Sequence, residues 1–178
     1  MAKNKVLYAG ALAEDTRNIM NHNFSDVSVA SATLSATSSD TGTTLTNIAG
    51  LTTDTNPNNY LQAGGTYKFR IHLSGVATAN SGMKIGLKQN NGLTLTSIES
   101  SAVGTTASAV VCQHSTTTTD AASLMASTTA FLKCVIEGTF VVLTSGSLQV
   151  QGAQNASHAD TTSFYLGSYM TVEHITTG

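Results

Sequence analysis

Residues 64–75 read GGTYKFRIHLSG. Every second side chain from Tyr67 is large and apolar: Tyr67, Phe69, Ile71 and Leu73. Between them stand Lys68, Arg70 and His72. A strand sends successive side chains to opposite faces, so the two sets separate cleanly. Each apolar group contributes roughly 1.5–3 kcal/mol on burial. Slipping by one residue would bury three basic groups instead, which fixes the register.

The same alternation recurs along the chain. In GMKIGLKQ, Met83, Ile85 and Leu87 face inward while Lys84 and Lys88 face water. Asn91-Gly92 follows at once, a dipeptide suited to a turn with positive φ at both central positions. Residues 83–89 and 93–99 are therefore expected to pair as an antiparallel hairpin. FLKCVIEGTFVVL and SLQVQGAQ, joined at Ser145-Gly146, form a second expected hairpin. DVSVASATLSAT, TTLTNIAGLT and TASAVVCQH are strand-like, and DTNPNNYLQAGG is a turn-rich loop. TTTTDAASLMASTT is expected to be a polar crossing with one helical turn at 121–125. In the closing SFYLGSYMTVEHI, Phe164, Leu166, Met170 and Val172 take one side. Tyr165, Tyr169, Glu173 and Ile175 take the other.

Composition agrees with this. Ser, Thr and Gly are abundant, Trp is absent, and charged residues make up 10% against roughly 25% in an average domain. The expectation is an all-β, antiparallel β-sandwich, jelly-roll-like, with about eight to ten strands at short turn spacing. Residues 26–178 form the sandwich and residues 1–25 an extended N-terminal arm. AEDTRNIMNHN within the arm has poor helical spacing. The arm's Val6, Leu7, Tyr8, Leu12, Ile19 and Met20 are expected to be buried only against another subunit or the surface the chain binds.

Chemistry is sparse. The five histidines, His22, His72, His114, His158 and His174, lack paired ligand spacing, so no metal or cofactor is expected. Neither a G-x-S-x-G elbow nor a phosphate loop is present. Cys112 and His114 share a strand face, but both Cys112 and Cys134 are read as buried thiols of a reducing compartment. The carboxylates Asp26, Glu99, Glu137 and Glu173 are too scattered to nominate a glycosidase pair. The chain is not expected to be an enzyme. Net charge is −2 without a basic cluster, which argues against nucleic acid. No apolar run reaches the length of a membrane-spanning helix. MAKNKVLYAGALA has the faint outline of a signal peptide, but its apolar run is too short, and cleavage is not expected. The sequons Asn23-Phe24-Ser25 and Asn155-Ala156-Ser157 then carry no meaning. Lys68, Arg70 and His72 are read first as the wet side of a strand, and second as a contact strip for an acidic neighbour.

LQAGGTYKFRIHLSG…SGMKIGL and IEGTFVVLTSGSLQVQGAQNASHADTTSFYLGSYMTVEHI together resemble virion structural proteins of tailed bacteriophages. The resemblance covers about residues 43–99 and 135–175. It implies a jelly-roll-like module, often trimeric, on a capsid surface or in a tail appendage. The expected role is a capsid decoration or cement protein that binds the phage head and stabilises the shell. Its partners would be copies of itself, as a homotrimer, and the major capsid protein, and its location the virion. The alternative is a receptor-binding or fibre-tip module that binds host glycan. Low charge supports an oligomer, since a monomer normally keeps more charge for solubility. Gln149, Gln151, Tyr165 and Tyr169 are the candidate contacts on the body.

Overall fold

In the computed structural model the strands are β1 (Ala30–Thr33), β2 (Ser38–Asp40), β3 (Thr46–Thr52), β4 (Thr66–Ala77), β5 (Met83–Asn90) and β6 (Thr94–Thr106). They continue with β7 (Val110–Ser115), β8 (Ala122–Ser127), β9 (Phe131–Thr144), β10 (Ser147–Ala153), β11 (Thr162–Phe164) and β12 (Tyr169–His174). The structure describes residues 30–34, 36–54, 61–78, 80–106, 110–119, 122–127 and 131–175, and no helix occurs among them. The expected arm, residues 1–25, lies outside the described residues.

Two antiparallel sheets face each other. The larger runs β1-β12-β4-β9-β6-β7, with β11 beside β4 and β2 beside β11; the smaller runs β3-β10-β5-β8. β1 with β2, and β11 with β12, each behave as one interrupted strand. With the β6–β7 hairpin set aside, eight strands then remain, in the orders 1-8-3-6 and 2-7-4-5. That is the jelly-roll order, and the fold is an all-β sandwich of this kind.

Alternation explains the core. Tyr67, Phe69, Ile71 and Leu73 are all buried, as are Ile136 and Phe140 of β9. Ile48, Leu51, Ile85, Leu148 and Val150 of the smaller sheet are buried with them in the same cluster. Tyr67 stacks on Phe140 with ring centroids 5.4 Å apart. Burial pushes the Tyr67 hydroxyl above its ordinary value, against the opposing hydrogen bond it accepts from Gln62 N–H.

Both expected hairpins are corners. Asn91 and Gly92 do take positive φ, and Leu93 N–H closes the turn on Asn90 O at 3.1 Å. However, β5 pairs with β10 and β8, while β6 pairs with β9 and β7. The turn carries the chain from one sheet to the other. Ser145-Gly146 does the same between β9 and β10. The two corners abut, because a Cβ on Gly146 would collide with Leu93 N and Asn90 O. Asn91 Nδ2 also donates to Ser147 Oγ at 2.9 Å.

Two further expectations are corrected. The crossing at 121–125 contains no helical turn where it is described: β8 starts at Ala122 and pairs with β5. Its backbone on the other side is clasped by one carboxamide. Gln113 Nε2 donates to Ala126 O, and Ala126 N–H donates to Gln113 Oε1, both at 2.7 Å. The closing segment, in turn, is two strands, broken at residues 165–168. Leu166 sits on that turn, 62% exposed, and does not face inward. Ser168 fills the break. Its Oγ accepts Ser74 N–H at 3.0 Å and donates to Tyr165 O at 2.8 Å. Leu34 N–H donates to Ser168 O at 2.9 Å.

Replacing Ser168 with Ala takes this acceptor from the part-buried N–H of Ser74. The variant should lose about 1–3 kcal/mol, read as a lower urea midpoint at unchanged slope. Gln113→Glu keeps the acceptor but sets an oxygen against the Ala126 carbonyl. At pH 7 it should melt below the wild type. The gap should narrow as pH falls through the carboxylate range near ~4.3, where a protonated oxygen can donate again.

Candidate functional site

The outward side of β4 carries Lys68, Arg70 and His72, as alternation requires. Register aligns them with residues distant in sequence. Lys68 lies opposite Glu173 of β12 and Thr139 of β9. Arg70 lies between Thr171 and Glu137. His72 lies between Tyr169 and Val135. Val135 continues to Val103 of β6 and Cys112 of β7.

Local contacts set the electrostatics. Arg70 Nε lies 3.0 Å from Glu137 Oε1, with both side chains about half exposed. Such a pair is worth little to stability but orients the guanidinium. Tyr169 and His72 stack, with centroids 5.2 Å apart and planes 13° from parallel. His72 Nδ1 is buried and lacks a hydrogen-bond partner. His114 Nε2 approaches Glu99 Oε1 at 3.5 Å. Among the described residues Lys68 and Glu173 make no ion pair, although they face each other. An open depression of about 250 Å³ lies here, lined by Lys68, Arg70, Glu137, Tyr169, Thr171 and Glu173.

The candidate contacts fare differently. Val6, Leu7, Tyr8, Leu12, Ile19 and Met20 lie outside the described residues. Gln149 is only 6% exposed. Its Nε2 lies within hydrogen-bond distance of Ile48 O (2.8 Å), Leu51 O (3.0 Å) and Val150 O (2.9 Å), where β3 bulges against β10. Gln151 is also buried and donates to Asn47 Oδ1 at 2.9 Å. Gln149 and Gln151, expected as contacts, are thus largely buried within the chain itself. Polar spacing on a strand signals water until a neighbouring bulge supplies carbonyls to bind. Tyr165 is exposed on the 165–168 turn, whereas Tyr169 begins β12 on the sheet face. They do not share one strand face.

Sequence reasoning missed the meeting of Glu137, Thr171 and Glu173 with the basic residues. Alternation showed which way each points, but only the order β12-β4-β9 brings them together.

The thiols separate. Cys134 is buried beside Met125, with sulfur atoms 3.1 Å apart, and burial pushes its pKa up to about 12. Cys112 is exposed, against the expectation of two buried thiols. It shares the outward face of β7 with His114, as expected.

Among the described residues, no three His, Cys, Asp or Glu side chains gather to hold a metal ion. Among them, too, no helix is long and apolar enough to cross a membrane. A scan against protein-family models and a search of curated proteins both gave no match.

A thiol reagent should modify Cys112 in the folded chain within minutes and Cys134 only on unfolding, counted by mass spectrometry. Because Cys134 is held neutral, its contribution to stability is intact below the ordinary thiol value of 9.0. It declines as pH rises from there toward about 12.

Proposed function

We propose that the chain is a structural protein of a tailed-bacteriophage virion, acting by binding rather than catalysis. Its role is that of a head decoration or cement protein that spans seams between capsid subunits. The observation that carries this reading is the strand order, 1-8-3-6 facing 2-7-4-5. Jelly rolls of this order serve viral capsid and lectin domains. A fold alone does not assign a function. The resemblance read from the sequence to phage virion proteins is what directs the choice, and the low charge would suit a surface covered by copies of itself and by the major capsid protein.

Such a protein favours the assembled shell by mass action, because its contacts exist only when capsid subunits are together. A homotrimer would multiply the effect through high effective concentration.

The depression beside Tyr169 favours a second reading, a tail receptor-binding module for host glycan. Location separates the two. Antibodies against the purified chain should label heads of the virions that carry it. Particles lacking it should rupture several degrees lower on heating, by dye release. Equal rupture temperatures, or label confined to the tail tip, would transfer the protein to the second reading.

A further inference from the structure

We propose that the depression between β4 and β12 is a binding site for a short neutral oligosaccharide. This deepens the second reading above by naming the ligand and the residues of its site, and it is tested on the chain alone, apart from where the protein sits in a virion.

The shape suits an extended ligand. Tyr169, Thr171 and Glu173 follow one another on the outward side of β12. At a strand rise of about 3.4 Å they span about 14 Å, enough for a short run of sugar rings. Lys68 and Arg70 form the facing wall, and Glu137 continues it on β9.

The chemistry is equally directive. A sugar presents an apolar C–H face and a rim of hydroxyls that both donate and accept. Tyr169 offers a ring edge or face at one end of the trough. Lys68 and Arg70 donate, Glu137 and Glu173 accept, and the Thr171 hydroxyl does both. Drug-sized ligands take mostly apolar pockets, whereas this lining is mostly polar with one ring, which matches a ligand rimmed by hydroxyls. Two groups are already held: the ring by its stack on His72 and the guanidinium by Glu137. Less ordering then opposes binding.

The same inventory disfavours other occupants. A phosphate-bearing polymer would meet two carboxylates beside the two cations, with no net positive field. The centre of a protein–protein contact is depleted in Lys and Glu, and Lys68, Glu137 and Glu173 are three of the side chains that line this depression. Among the described residues the exposed large hydrophobic side chains, Val103, Val110, Leu143, Tyr165, Leu166 and Ile175, all lie outside the lining.

The intact chain, fluorescently labelled, should bind at least one neutral glycan on a printed array of bacterial, plant and animal glycans. Titrating that glycan into the isotope-labelled chain should shift the amides of 68–70, 137 and 169–173 saturably, leaving those of 110–115 unmoved. Tyr169→Ala should weaken binding about tenfold, a loss of about 1.4 kcal/mol. Glu173→Gln, at an exposed side chain, should weaken it several-fold at unchanged melting temperature, which guards against a Tyr169 variant that loosens the sheet. Val103→Ser, elsewhere on the same face, should change nothing. Silence across the array, shifts confined to other residues, or affinity retained in both site variants would overturn the proposal.

Discussion

Everything on the outer face depends on the burial of Tyr67, Phe69, Ile71 and Leu73 on its inner side. With four large side chains inward, β4 has one allowed register. β9 and β12 are locked against it, one on each edge. The polar side chains above inherit that alignment without contributing much to it. Arg70 meets Glu137, and Tyr169 meets His72, because the aromatic stack of Tyr67 and Phe140 beneath cannot slide. The surface chemistry is thus placed by the core.

The orientation of side chains was legible in the sequence, whereas their neighbours were not. Alternation assigned the inward and outward sides of β4 and β5 correctly. It could not say that β5 and β6 belong to different sheets. Asn91-Gly92 dictates a tight turn, but a jelly roll uses such turns to change layers, and the strands beyond it diverge. A backbone turn reports local φ and nothing about the ladder that follows. β8 escaped notice because its segment is short, rich in Ser and Ala, and flanked by threonines. Its strand state comes from β5 and from the Gln113 clasp, both tertiary.

The candidate site shows the same division. Lys68, Arg70 and His72 were visible as a wet face from spacing alone. Glu137, Thr171 and Glu173 complete that face from the far end of the chain, so no local pattern could nominate them. Gln149 is the converse. It reads as a surface residue, yet a bulge in β3 brings two carbonyls, those of Ile48 and Leu51, within reach of its amide. Burial there is a product of pairing irregularity, which single-chain patterns do not encode.

The break that Ser168 fills has a colloidal consequence. A net charge of −2 gives this chain little electrostatic protection from its own kind. Long, flat, unpaired strand edges would invite sheet-to-sheet growth into fibres. On the side of the large sheet away from the β6–β7 hairpin, the outermost strands among the described residues are β1, with 4 residues, and β2, with 3, which are separate in sequence. A neighbouring strand could pair with one piece but not run straight into the next. Backbone interruption thereby limits edge-to-edge pairing along this side of the sheet by a means that needs no surface charge.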